Sequence, residues 1–296
     1  MNDFPYRQNR RIQAANFFRK FFRYPFVEGI LIFLFPKFKW TKKLVPPEYL
    51  YKRKSYRIAI RDQIVYRFDL SNVIDHSLYF FHRYFAPFQL FLLIKSDSIM
   101  IDIGANIGTV ALHAAATAKN GKVYAFEPDS DNYAALRQNI MLNDFENIIP
   151  IRKALGEASA QTKLFKVNRF NNGMNRILPD NSSFRDFETI EVNTLDKEVE
   201  QWKPDRIDLI KIDVEGYELH VLRGASATLR KFHPLLVVEV VDVNLKNNGH
   251  SSTAILEFLK PFGYRFIDLK DGQPLINIHQ HLETDILCYT NHNPLA

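Results

Sequence analysis

The sequence predicts an α/β protein, a mostly parallel sheet with helices on both faces, preceded by a basic and aromatic N-terminal arm. Three observations predict it. Short apolar runs at Ile99–Ile103, Val123–Phe126, Ile207–Ile212 and Pro234–Val238 read as strands buried on both faces. Each has a carboxylate at or just after its end, Asp102, Glu127, Asp213 and Glu239 respectively, and helical patterns separate the runs. The charge is also split. Residues 1–60 hold 14 Lys and Arg against 3 acids, a net +11, within a chain of +6, so the remainder carries −5.

The arm, residues 1–54, comes first in the chain. Arg10, Arg11, Arg19, Lys20 and Arg23 alternate with Phe17, Phe18, Phe21 and Phe22, and residues 8–24 read as a basic amphipathic helix. The stretch Phe26–Phe35 is apolar but short, holds Glu28 and Gly29, and sits between Pro25 and Pro36. A membrane span needs about twenty apolar residues, so none is expected there. A signal peptide is not expected either, because the apolar run lacks a small-residue cleavage site. Cations mixed with aromatics suit the membrane–water interface, so peripheral membrane contact through residues 8–40 is one expectation. Packing of the arm on its own catalytic part or on a partner is the other. No nucleic-acid fold accompanies the basic residues, so nucleic acid is not an expected partner.

Residues 55–97 read as a strand pair and a helical connector. Tyr56–Ile60 and Gln63–Leu70 alternate like two strands joined at Arg61-Asp62. Residues 72–95 follow as helix and connector, rich in Tyr79, Phe80, Phe81, Tyr84 and Phe85, which read as a lid over a pocket or as core packing.

The core is residues 98–296. Ile99–Ile103 leads into a turn punctuated by Gly104 and Gly108, where glycine reaches positive φ cheaply and lets a ligand approach the backbone. Thr109–Lys119 reads as helix, its N-terminal amides directed at the ligand. Val123–Phe126 is the next strand, Asp129–Leu142 the second helix and Ile148–Arg152 the third strand. Thr162–Val167 and Phe187–Asn193 look like an added pair around the polar loop Asn168–Ser183. Ile207–Ile212 leads through Asp213 into a helix over Tyr217–Arg230, and Pro234–Glu239 is another buried strand. Ser251–Pro261 is helical, and Tyr264–Leu269 pairs with Asp285–Tyr289 as an antiparallel edge. Ligands of such sheets bind at the carboxyl ends of the strands, so the four carboxylates are expected on one rim.

The chemistry follows from residue types. A dinucleotide fingerprint needs three turn glycines and an anion-free approach for the pyrophosphate. Here the pattern is Asp-x-Gly-x-x-x-Gly at 102–108, with two glycines and an anion. An acid there suits the ammonium of S-adenosylmethionine (SAM), directly or through water, and Glu127 at the next strand end suits a ribose diol. The candidate cofactor contacts are Asp102, Gly104, Ala105, Asn106, Gly108, Glu127 and Pro128.

Taken together, Asp-Ile-Gly-Ala-Asn-Ile-Gly at 102–108, Phe-Glu-Pro at 126–128, Thr-Leu-Asp at 194–196, Lys-Ile-Asp-Val-Glu-Gly-Tyr-Glu at 211–218 and Gly224-Ala225 resemble the FkbM family of SAM-dependent methyltransferases. The resemblance covers about residues 63–290. It implies a class I, Rossmann-like SAM-methyltransferase fold with a seven-stranded sheet. It also implies O-methylation of a hydroxyl on a saccharide, glycolipid or natural product, and a bacterial cytoplasmic setting, at the inner membrane face if the arm binds lipid. In such folds the segment Lys153–Gly156 contacts adenine, which adds Ala154 and Leu155 to the cofactor contacts. Asp213 is the leading general base and Glu239 the second, with Lys211 on the same strand face to orient Asp213. Glu215 and Glu218 read as base neighbours or as charges favouring a helix N-terminus.

Two readings from other classes stand beside this one, a non-catalytic scaffold at a membrane surface and an NAD-dependent oxidoreductase. No metal is assigned, although Mg²⁺ on Asp213 and Glu239 is conceivable. His113 reads as packing, and His279 and His281 as surface loop. Cys288, the single cysteine, excludes an internal disulfide and reads as a small buried hydrophobe.

Overall fold

The computed structural model describes residues 10–83, 86–179, 182–276 and 281–293. Arm residues 8 and 9, Tyr84, Phe85 and His279 lie outside the described residues. The chain divides into two compact units, one of residues up to 85 with 169–171, the other of residues 86–168 and 172–296.

The first unit contains α1 (Arg10–Arg19), α2 (Pro25–Leu34), β1 (Tyr56–Arg61), β2 (Ile64–Asp69) and α3 (Val73–Phe81). The strands form an antiparallel hairpin closed at Arg61↔Ile64. Its turn is Asp62-Gln63, one residue later than expected, both residues left-handed at φ 47° and 67° as a two-residue hairpin loop requires. Ile64, Tyr66 and Phe68 alternate into the core of this unit, where Leu78 and Phe80 of α3 are also buried. Asn72 caps α3 by accepting from the Ile74 amide at 2.9 Å. Arg61 donates to the carbonyls of Leu78 and Tyr79 near the other end of that helix.

The arm corrects one expectation. Helix α1 stops at Arg19 and buries no residue. Its apolar side chains are spread around the cylinder rather than gathered on one stripe, so it is not amphipathic in the usual sense. Helix α2 is the anchored part. Pro25 occupies its first turn, and Glu28 and Leu31 are its buried residues. Glu28 accepts from Arg57 Nε at 2.7 Å, Arg57 NH2 at 3.0 Å and Tyr51 Oη at 3.0 Å. The acid that interrupts the apolar stretch is therefore the bolt that holds the helix to the hairpin.

The second unit opens with α4 (Phe88–Leu92), then β3 (Ile99–Ile103), α5 (Thr109–Thr117), β4 (Lys122–Phe126), α6 (Ser130–Met141) and β5 (Ile148–Ile151). A smaller excursion follows, β6 (Ala154–Leu155), β7 (Ala160–Phe165), β8 (Arg176–Ile177) and β9 (Phe187–Asn193). The chain returns through α7 (Leu195–Trp202), β10 (Leu209–Ile212), α8 (Glu218–Arg223), α9 (Ser226–Phe232) and β11 (Leu235–Val241). It finishes with α10 (Asp242–Lys246), α11 (Ser252–Leu259), β12 (Arg265–Asp268) and β13 (Glu283–Tyr289).

The main sheet has seven strands in the order β12-β13-β11-β10-β3-β4-β5. It is parallel across β11-β10-β3-β4-β5, and β13 runs antiparallel to both its neighbours. This is the largely parallel, Rossmann-like sheet the sequence predicts, with its reversed strand near one edge. Alternate residues of the same strands feed two cores. Ile101, Ile103, Phe126, Ile210 and Ile212 join one cluster, while Met100, Val123, Ala125 and Leu209 join the other, so each face of the sheet is covered. Cys288 is fully buried in the first of these. The added strands form a separate four-stranded sheet, β6-β9-β7-β8, whose β8 arises inside the loop expected to be irregular.

Two further expectations need correction. The helix expected over Tyr217–Arg230 is two short helices broken at Gly224-Ala225. A Cβ at Gly224 would stand 1.9 Å from the Gly156 carbonyl oxygen, so a tertiary close approach fixes that break. Glu239 is inside β11 rather than at its end, because Val240 and Val241 continue the pairing with β13.

The chain leaves β3 toward β4 and β5 and then crosses back to β10 on β3's other side, so the switch in strand order lies between β3 and β10. Ligand crevices of open α/β sheets form at such a point, outside the carboxyl ends of the strands.

Candidate active site

At this switch the register sets Lys211 directly beside Asp102. Lys211 is almost enclosed, and its Nζ donates to the Gly104 carbonyl at 3.1 Å. It lies 3.1 Å from Asp213 Oδ2 and 3.5 Å from Asp102 Oδ1. Burial would strip the proton from a lone lysine, but the charges of Asp213 and Asp102 outweigh it and hold the ammonium well above its ordinary range. Asp102 is fully enclosed, and burial pushes its carboxyl up against the pull of Lys211. The sequence reading gave Asp102 to a cofactor ammonium; the cation that stands beside it in the structure is Lys211. Asp213 is the open member of the trio, its side chain 30% exposed.

The turn after β3 uses three left-handed residues, Gly104 at φ 83°, Asn106 at 52° and Gly108 at 94°. At Gly104 the reason is local. A Cβ there would lie 1.9 Å from the Asp213 carbonyl oxygen, so the glycine admits the chain leaving β10. The amides of this turn are all used within the protein. Gly104 and Ala105 donate to the Phe126 carbonyl at 3.0 and 2.9 Å, and Gly108 donates to Ala105 at 2.8 Å. Asn106 donates to Glu127 Oε2 at 2.7 Å, and Ile107 donates to the Asn106 side chain at 2.8 Å. A pyrophosphate cradle works by presenting free amides to the ligand, and this turn has spent its own.

Glu127 follows β4, and its Oε1 accepts from the Asp129 amide at 2.9 Å. Burial, reinforced by the nearby charge of Asp129, pushes its carboxyl up to about 8. Pro128 beside it is half-buried. Asp129 caps α6, accepting from the Asp131 and Asn132 amides at 2.9 Å each. Ala154 and Leu155 pair with Val192 and Asn193 of β9. Both are buried, Leu155 in the main core and Ala154 in the cluster of the small sheet.

Glu239 is raised to about 10, first by the charge of Asp213, then by its own burial and by Glu215 and Glu218. Glu239 pairs across the sheet with Asp285, which burial and the Asp213 charge raise to about 6. Glu218 turns inward instead, accepting from the Gly216 amide at 2.9 Å, and burial raises it to about 7. Glu215 sits in a left-handed turn, φ 56°, and takes Arg176 NH2 at 3.0 Å and Asn244 Nδ2 at 2.8 Å on the same oxygen. Burial and Asp213 raise it to about 7 against the pull of Arg176. Arg176 also donates to Asn244 Oδ1 at 2.8 Å, closing a triangle among the small sheet, the loop after β10 and α10.

Arg176, Asn244 and Asp285 were not singled out from the sequence. Asp285 lies on β13, an inner strand of the sheet, opposite Glu239. His113 is half-buried on α5 with its Nδ1 3.0 Å from the Thr109 carbonyl oxygen, and His281 is paired with Asp242. Among the described residues, no three His, Cys, Asp or Glu side chains are grouped so as to hold a metal ion.

The donor set fits SAM. The ligand is cationic at its sulfonium and ammonium, and the switch point offers carboxylates with the phosphate-binding amides consumed. Glu127 at the end of β4 takes the Asn106 amide on one carboxylate oxygen and the Asp129 amide on the other.

Residues 102–266, more than half of the chain, match the family described as the methyltransferase FkbM domain. The chain is 30% identical over 148 residues to hexuronic acid methyltransferase AglP of Haloferax volcanii, covering 49% of this chain and 57% of that protein. It is 29% identical over 163 residues to methyltransferase sdnD of Sordaria araneosa, covering 45% of this chain and 62% of that protein. The match thus spans less than two thirds of either relative. Among solved structures it is similar to methyltransferase FkbM of Methylobacillus flagellatus, 20% identical, covering 66% of this chain and 44% of that one at a TM-score of 0.43. The chain belongs to the FkbM family of SAM-dependent methyltransferases.

Proposed function

We propose that this chain methylates a hydroxyl of a saccharide or a related small-molecule acceptor, with Asp213 as the general base. The observation that carries this reading is the Lys211–Asp213 pair, a partly exposed carboxylate held by an enclosed ammonium at the switch point of the sheet. The similarity to a hexuronic acid methyltransferase supports a sugar acceptor.

When bound, SAM supplies a methyl group already activated on a sulfonium sulfur. The chain's own work is to place the acceptor oxygen in line, exclude water and remove one proton. Asp213 Oδ takes that proton as the hydroxyl oxygen attacks. Glu239, the second candidate, is pushed up to about 10 by the charge of Asp213 and by its own burial, which suits it to donate a proton rather than to take one. Its hydroxyl serves as a donor to the acceptor or to Asp213. Lys211 keeps Asp213 oriented, and Asp102 keeps Lys211 in place from behind the turn. Glu127 and Asn106 hold the ribose of the cofactor.

The test is transfer of labelled methyl from SAM to a panel of neutral sugars and uronic acids. An alkali-stable methyl ether whose formation fails in Asp213→Asn supports the reading. An alkali-labile methyl ester formed equally well by that variant would sink it, because a carboxylate acceptor needs no base.

A further inference from the structure

We propose that the segment Arg10–Leu44 is a docking surface for an anionic lipid bilayer, on which it lies without crossing. The charge that this segment shows to solvent is of one sign. Between residues 10 and 47 the sole acid is Glu28, which is fully buried against Arg57. Arg10, Arg11, Lys20, Lys37, Lys39 and Lys43 are exposed.

The same segment exposes large apolar side chains that a water-facing surface has no use for. On α2, Phe26, Ile30 and Phe33 follow one another at helical spacing and are 79%, 42% and 66% exposed. The opposite side of that helix carries Glu28 and Leu31 into the body of its unit. Anchoring one side fixes which stripe faces out. Trp40 and Phe38 are exposed as well, each next to a lysine in Lys37-Phe38-Lys39-Trp40. Large exposed apolar patches mark interaction surfaces.

The combination selects the partner. Aromatic rings rest at the depth of lipid headgroups, and lysines beside them meet the phosphates. A surface whose accessible charges are all positive is complementary to an anionic leaflet and repels a second copy of itself. No helix among the described residues is long and apolar enough to cross a membrane.

The test is flotation of the full chain with vesicles of phosphatidylcholine alone or with roughly one third phosphatidylglycerol, the anionic component supplying the attraction. The chain should float with the anionic vesicles, stay behind with the neutral ones and be released by high salt. Trp40 emission should shift to the blue on binding, and Trp40→Phe should lose that shift. The double variants Phe26→Ser/Phe33→Ser and Lys37→Glu/Lys39→Glu should each cut partitioning by about tenfold or more while melting like the parent, since all four residues are exposed. Failure to float with anionic vesicles, or flotation unchanged in both variants, would overturn the proposal. Self-association that the Phe26→Ser/Phe33→Ser variant abolishes, without flotation, would assign the surface to a second copy instead.

Discussion

Each unit buries an ion whose sign opposes most of the charge around it. In the sheet it is Lys211, enclosed beside Asp102 and Asp213 in a mostly acidic region. In the arm it is Glu28, enclosed beside Arg57, Tyr51 and Tyr79 in a region that is otherwise basic. The resemblance ends with the charges around them. Those around Lys211 are crowded and half-buried, so they perturb one another and Glu239 is driven to about 10. Those around Glu28 are spread over the surface in water, where like charges cost little. Crowded carboxylates in a crevice are tuned for proton chemistry. Dispersed cations between exposed aromatics suit the bilayer contact proposed above. In both places the buried ion fastens the groups around it.

The largest expected effect separates chemistry from fastening. Asp213→Asn should lower the rate of methyl transfer by about 10²–10⁴-fold while S-adenosylhomocysteine still binds, as measured by single-turnover kinetics and calorimetry. Next comes the fastener of the sheet. Lys211→Met leaves two carboxylates without their cation and should cost about 3–5 kcal/mol in denaturant unfolding. Glu28→Gln should cost less, about 2 kcal/mol, because Arg57 remains partly in reach of water when its partner is neutral. An equal cost for the two substitutions would break the comparison.

The crowding of the sheet's carboxyls is tested separately by the pH dependence of the ligand-free chain. Glu127 and Glu239 keep their protons up to about 8 and about 10 when folded, and release them near 4.5 when unfolded. The folded state therefore binds more protons, and stability falls as pH rises through those folded values. The lowered histidines His76, His220 and His250 are neutral in the folded chain well below their ordinary range, and above about pH 8 unfolded histidine is neutral as well, so histidine adds little to the slope there. The slope should be about 1.4 kcal/mol per pH unit for each proton, and Glu239→Gln should flatten it in thermal melts.

Much of this was legible in the sequence where a local pattern sufficed. The runs that became β3, β4, β10 and β11 are apolar and β-branched, and each brings its carboxylate to the same edge of the sheet. Glu239 was read as a strand end because an acid after four apolar residues looks like one. The two valines after it, Val240 and Val241, are the signal that the strand goes on. What was not legible is convergence. Arg176 and Asn244 meet on Glu215 from 39 and 29 residues away, and nothing local to either marks that meeting. The break at Gly224 has the same cause, since its partner Gly156 is remote in sequence. The arm shows the reverse case. Glu28 looked like a flaw in an apolar stretch, and only its burial against Arg57 shows that it holds the helix down.

The central claim is that cofactor holding and proton removal are divided between the ends of β4 and β10. Calorimetric titration of S-adenosylhomocysteine into the wild-type chain, Glu127→Ala and Asp213→Ala tests this division directly. The account predicts binding about 10–100-fold weaker in Glu127→Ala, the loss expected when a buried hydrogen-bonding partner is removed, and near-parental binding in Asp213→Ala. Equal loss in both variants, or undisturbed binding in Glu127→Ala, would contradict it.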